Sequence, residues 1–238
     1  MRRVVGSFRR FTWLRVANVY LLDGGVGDRW LVDTGHVLER PMLLAELRRA
    51  RLSPSDLTGV LLTHRHSDHA GNAAFFQRAG VRVHAHARDA EVLAGRSPRH
   101  WMRFDRERLV ASLLGQVENY WPAEALEVDV ALEDGATVAG LEVHAVPGHT
   151  EGSVFYRHEA TETLLSGDTL LAAHPPLTLR EGLAPPYPTF SVDLPEALAS
   201  LRAFHDRGFA YRNLLSGHGP PIVGRARDEV LALLGGWA

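Results

Sequence analysis

Cysteine and lysine are both absent from this 238-residue chain. Without thiols there is no disulfide framework to read and no thiolate ligand, so a bound metal must be held by histidine and carboxylate groups. All 26 basic residues are arginine, a bias read as gene base composition rather than as chemistry. Strong charge of one sign is also missing. The formal net charge of −2 gives no global attraction to nucleic acid or anionic membranes, although Arg2, Arg3, Arg9, Arg10 and Arg15 can form a local basic patch. No apolar run approaches the ~18 residues of a membrane span. The opening stretch is broken by Arg9, Arg10, Arg15 and Asn18 and is not followed by a small-residue cleavage site. The expectation is a cytoplasmic protein with a small-molecule partner and no membrane partner. Nothing in the sequence specifies an oligomeric state.

What is present is an ordinary globular composition, 45% hydrophobic and 23% charged, at a length that fits one domain over residues 1–238. "NVYLLDGG" and "RWLVDTG" read as strands around a glycine turn, "LERPMLLAELRRA" as a helix, and "LTGVLLT" as a short buried strand. "AGNAAFFQRAG" predicts a short helix closed by Gly80, and "VRVHAHA" another strand. Residues 89–121 read as a helical insertion rich in aromatics. Strands return at "LEVDVAL", "TVAGLEVHAV", "SVFYRH" and "ETLLSG", before a proline-rich loop running through Pro175 to Pro188. A helix near "DLPEALASLRAFHDR", a strand "YRNLLSG" and a last helix "RARDEVLALLGG" complete the chain.

One pattern recurs: an apolar strand runs into an aspartate or a histidine, at Asp33, His64, His149, Asp168 and His218. Ligands gather outside the carboxyl ends of strands in sheets flanked by helices, so these ends are expected to converge. The densest stretch is "VLLTHRHSDHAGN". Buried imidazoles and carboxylates need polar or cationic partners, and a cluster this dense points to a metal. His64 and His66 are two apart and can face one side of extended backbone; with His149 they make one nitrogen set. Asp68 and His69 can face a second ion, with His218 completing it. Asp168 is the bridge, since one carboxylate can span ions roughly 3.5–4 Å apart. Seven ligands result. Asp33 is expected to hold the ligand loop by hydrogen bonds rather than to bind metal.

The ordered motifs resemble those of the metallo-β-lactamase-fold hydrolases: H-x-H-x-D-H at His64, His66, Asp68 and His69, later ligands at His149, Asp168 and His218, and an early aspartate at Asp33 in "LVDTG". The resemblance runs from about Asn18 to Pro221. It implies an α/β fold, a four-layer αβ/βα sandwich of two mixed β-sheets flanked by helices, with the 89–121 segment as an insertion. It also implies two divalent metal ions, zinc first, with iron or manganese compatible. The chemistry expected is hydrolysis by a metal-bridging hydroxide, with Asp68 and Asp168 as catalytic carboxylates.

Details prune the family. Antibiotic-hydrolysing members lack a bridging aspartate where this chain has Asp168, and oxygen-reducing diiron members typically carry glutamate where this chain has His66. A basic glutathione-recognition segment is not evident. The resemblance then points to the small glyoxalase II-like and lactonase-like members, acting on a small ester, thioester or lactone. A compact endoribonuclease using the N-terminal arginines and an iron-dependent sulfur dioxygenase with one iron are the alternatives. His174 and the aromatics Trp101, Phe104, Tyr120 and Trp121 are the candidate substrate contacts, the aromatics as the apolar inner face of a lid or else as core. His84, His86, His144, His36, His100, His158 and His205 read as structural.

Overall fold

A computed structural model describes residues 1–102, 104–174 and 180–236. The chain divides into two compact units, one of residues 1–99 and 121–132, the other of residues 100–120 and 133–238.

In the first unit, strands β1 (Arg2–Val5), β2 (Phe8–Arg10), β3 (Tyr20–Asp23) and β4 (Arg29–Val32) form an antiparallel run. The sheet continues in parallel through β5 (Gly59–Leu61), β6 (Arg82–His86) and β7 (Val130–Leu132). These seven strands lie in sequence order. Helices α1 (Arg40–Arg49), α2 (Ser67–Ala70), α3 (Ala73–Arg78) and α4 (Ala87–Leu93) connect the parallel strands. The core joins Leu21, Leu31, Val60 and Val83 of the sheet to Leu43 and Leu47 of α1 and Phe76 of α3. β5 is buried along its whole length, as a parallel strand covered on both faces must be, which is why it reads as a continuous apolar run. Among the N-terminal arginines, Arg9 is paired with Asp23 at 2.9 Å and Arg3 donates to the Gly6 carbonyl.

In the second unit, helix α5 (Leu109–Tyr120) precedes β8 (Thr137–Val138), β9 (Leu141–Ala145), β10 (Val154–His158) and β11 (Thr163–Gly167). A two-stranded ribbon, β12 (Leu171–His174) and β13 (Arg180–Ala184), is followed by α6 (Leu194–Asp206), β14 (Asn213–Ser216) and α7 (Ala226–Gly235). The five-stranded sheet has the order β14-β11-β10-β9-β8. β9 and β11 are each antiparallel to β10, and β14 is parallel to β11. So β9, β11 and β14 run the same way and end on the same edge. Phe155, Leu164 and Leu214 pack against Leu201 and Phe204 of α6 and Val230 of α7.

Within residues 89–121, α4, which starts just before the segment and packs on β6, ends at Leu93, and α5 begins at Leu109. Gly95, at φ +73°, and Pro98 break the helical pattern between them. The loop expected after Asp168 contains the β12–β13 ribbon; its residues 175–179 lie outside the described residues.

Candidate metal centre

The first unit places the H-x-H-x-D-H stretch just beyond the carboxyl end of β5. His64 and His66 lie in the loop after that strand, His66 sits immediately before α2, and Asp68 and His69 fall within that short helix. His64, His66 and His69 are all buried. The His64 ring centroid lies 4.8 Å from that of His66 and 4.1 Å from that of His69. Asp68 Oδ2 is 3.7 Å from His69 Nε2.

Asp33, at the carboxyl end of the neighbouring β4, organises this loop. Its Oδ1 accepts from the Thr63 backbone N–H at 2.8 Å, and its Oδ2 accepts from Thr63 Oγ1 and His69 Nδ1, each at 2.8 Å. The hydroxyl proton of Thr63 is committed to Asp33, so Thr63 Oγ1 accepts from His64 Nδ1 at 3.1 Å. Both imidazoles therefore carry their proton on Nδ1, which leaves the Nε2 lone pair as the atom able to hold an ion. The backbone of Asp33 has φ +60°, a left-handed conformation that costs a non-glycine residue free energy. Asn72 fixes the neighbouring turn, donating from Nδ2 to the carbonyls of Thr34, Gly35 and His36 and accepting from Arg40 Nε. Between the first two histidines, Arg65 faces Asp89 at 3.8 Å, both side chains almost fully buried.

The second unit contributes His149, Asp168 and His218, which follow the co-directional strands β9, β11 and β14. Asp168 Oδ2 lies 3.1 Å from His218 Nε2 and 3.9 Å from His149 Nε2. His149 is oriented from behind: its Nδ1 donates to Ser191 Oγ at 3.4 Å, and that hydroxyl donates to the Tyr187 carbonyl at 2.9 Å. Its turn needs Gly148, at φ +119°, where a Cβ would overlap the Ala197 backbone. The His218 carbonyl accepts from Ala172 N–H at 3.1 Å and from Ser216 Oγ.

Each of His64, His66, Asp68, His69, His149, Asp168 and His218 is a member of a group of histidine and carboxylate side chains able to hold a metal ion. The donor set fits a divalent ion of the zinc, manganese or iron type: imidazole and carboxylate, without thiolate.

The other expected residues fall elsewhere. Trp101, Phe104, Tyr120 and Trp121 are all exposed, which removes the core reading. Trp101 packs edge-on against Tyr120 at 5.7 Å, and Trp121 edge-on against His36 at 5.8 Å. His174 ends β12, half-buried beside Gly182. His84 and His86 are buried in β6, and His86 caps α4 by accepting from Arg88 N–H; burial pulls His84 below its ordinary value. Sequence reasoning missed Thr63, Asn72, Asp89 and Ser191. Thr63 and Asn72 flank the histidine stretch and were findable as buried polar residues needing partners. Ser191 meets His149 across 42 positions and leaves no local signal.

Among the described residues no helix is long and apolar enough to cross a membrane. The family model "Metallo-beta-lactamase superfamily" matches residues 12–210. The Bacillus subtilis (strain 168) protein named "Probable metallo-hydrolase YybB" is 32% identical over 183 residues, covering 76% of this chain and 71% of that protein. A hydroxyacylglutathione hydrolase of Pseudomonas savastanoi pv. phaseolicola is 39% identical over 123 residues; the match covers 49% of this chain and 35% of that enzyme. Among solved structures, the metallo-beta-lactamase family protein TTHA1429 of Thermus thermophilus aligns with a TM-score of 0.69 and 26% identity, covering 97% of this chain and 79% of that one. TTHA1623, solved in a di-iron-bound form, aligns at a TM-score of 0.61 and 27% identity, covering 87% of this chain and 89% of that one.

Proposed function

We propose, from the premise that this chain belongs to the metallo-beta-lactamase superfamily, that it is a binuclear metal-dependent hydrolase of a small ester, thioester or lactone. The observation that carries this reading is the Asp33 carboxylate, which fixes the tautomers of His64 and His69 through Thr63 Oγ1 and His69 Nδ1. A histidine pair locked by an outer carboxylate in this way is how proteins hold metal ligands.

In the proposal His64, His66 and His149 would hold one ion and Asp68, His69 and His218 the other, and Asp168, grouped with His64 and His69, would serve both. Bound divalent ions supply Lewis acidity and a water acidified to a pKa of about 7. The chain's own groups do the rest. Ser191 holds the His149 ring through Nδ1. Asp68, whose side chain lies beside His69 Nε2, would take up the proton that the attacking water gives up at the substrate carbonyl and return it to the departing alkoxide or thiolate. His174 and Trp121 are the substrate contacts in this reading, Trp121 because it packs on His36 in the turn that Asn72 ties to the ligand loop. The match to hydroxyacylglutathione hydrolases supports a thioester among the candidates, and the di-iron-bound form of TTHA1623 supports iron as an alternative to zinc. A cytoplasmic location belongs to the same proposal.

The test is metal analysis with an activity screen. The purified protein should hold close to two ions per chain, lose them and its activity on chelation, and hydrolyse thioesters or lactones. Asp168→Ala should abolish turnover while the thermal unfolding of the metal-free protein stays close to that of the metal-free parent. Turnover by metal-free protein would refute the reading. A single bound iron with oxygen consumption would replace it with the dioxygenase, and salt-sensitive cleavage of single-stranded RNA with the endoribonuclease.

A further inference from the structure

Helix α5 is inside out. It buries Ala111, Ser112, Gly115, Glu118 and Asn119 and exposes its apolar residues. Leu113 is 55% exposed, Val117 44% and Tyr120 77%. The helix cannot roll to hide them, because its polar face is bolted down. Asn119 Oδ1 accepts from Met102 N–H at 2.8 Å while its Nδ2 donates to the Met102 carbonyl at 2.9 Å. Nearer the start of the helix, Ser112 Oγ donates to the Asp105 carbonyl and accepts from the Asp105 N–H, each at 2.8 Å. Gly115 brings the Met102 side chain close enough that a Cβ would sit 3.0 Å from it.

We infer that this face is a homodimer interface, covered by α5 of a second copy of the chain. Three observations select that occupant. The exposed residues Val110, Leu113, Val117 and Tyr120 are spaced three, four and three apart, the seam of a two-helix pairing, with β-branched residues alternating with larger ones as two-stranded coiled coils prefer. Leu114 flanks that seam, and Trp101, edge-on to Tyr120, extends it. The apolar surface offered, with each side chain counted at its exposed fraction, is roughly 600 Å², so that two copies together reach the lower bound of a standard-size interface. Among the described residues the face of α5 has no exposed charge, and at its rim Arg106 and Arg108 are balanced by Asp105 and Glu107, with Arg108 paired to Asp105 at 3.3 Å. A balanced rim gives an anionic lipid surface nothing to attract, whereas a two-fold axis lets one patch meet its own copy.

The full chain should sediment at twice its 26.3 kDa mass at micromolar concentration. L113E and V117E, each made singly at an exposed position, should weaken association by at least about thirty-fold, the effect of losing a central interface anchor, with circular dichroism and thermal unfolding showing a folded chain. V26E, at a residue 94% exposed in the β3–β4 turn, should leave the mass unchanged. A native chain that stays monomeric at about a hundred times that concentration overturns the proposal, as does a dimer insensitive to both variants. So does a monomer that floats with phosphatidylcholine–phosphatidylglycerol vesicles and loses that binding in L113E, which would assign the face to a lipid surface.

Discussion

Asp33 shows how much one carboxylate can organise. Two oxygens receive a backbone N–H, a hydroxyl and an imidazole, and the residue stays in a left-handed backbone conformation to do so. Asp33→Asn keeps the shape but puts an NH₂ where an acceptor is needed, so His69 loses the acceptor that fixes its tautomer. Metal affinity, measured by competition with a chromophoric chelator, should fall about 10–100-fold; an unchanged affinity would mean the carboxylate serves only the turn. The histidine–aspartate cluster was legible in the sequence because His64, His66, Asp68 and His69 are neighbours in the chain. Asp33 was expected as a partner rather than a ligand because "LVDTG" resembles the family's early aspartate motif. The residues that orient the ligands from far away, Ser191 above all, were not, since a serine in a loop has the same sequence appearance whether or not an imidazole stands behind it.

At the level of elements, periodicity names which residues share a helix face but not which way the face points. Leu109, Leu113 and Leu114 share a stripe of α5 at helical spacing, and the contacts of Ser112, Gly115 and Asn119 on the other face turn that stripe outward. The β12–β13 ribbon was hidden for a related reason: the prolines and glycines that argue for a loop also suit a short, irregular pair, and its register shifts between Leu171 and Ala173. The turn after β9 makes a sharper prediction. Gly148→Ala places a methyl against the Ala197 backbone at a positive φ, and neither α6 nor the turn can yield without moving the other. The variant should be destabilised by about 3 kcal/mol or more, combining overpacking with backbone strain, read as a lowered denaturant midpoint. A loss under about 1 kcal/mol would show that α6 shifts freely.

For the molecule as a whole, three buried histidines outside the ligand set link stability to pH. Burial is the largest cause pulling His84, His144 and His205 below their ordinary value of 6.5. Burial keeps His205 neutral against the opposing pull of the Leu201 carbonyl, which accepts from Nδ1 at 2.7 Å; Nε2 then meets the Tyr211 hydroxyl at 2.6 Å. The unfolded chain takes up protons near pH 6.5 where the folded one does not, so stability is fully present above that pH and declines as pH falls below it. Urea midpoints of chelator-treated protein should drop between about pH 7.5 and 5.5, and His205→Asn should flatten part of that slope. A midpoint independent of pH across this window would contradict the neutral assignment.

The second sheet acts as a ruler. His149, Asp168 and His218 are 19 and 50 positions apart in the chain, yet their places are set by co-directional strands, with β11 beside β14 and β9 beyond β10. Neighbouring strands are about 4.8 Å apart whatever the loops between them contain. That order matches Asp168 lying nearer to His218 than to His149. Distance along the chain is therefore decoupled from distance across the site, and the connections at the far edge, such as the turn from His158 to Thr163, can lengthen or change composition without recalibrating the ligands. The marks on the ruler are the few residues between each strand end and its ligand, and one residue gained or lost there shifts the reading.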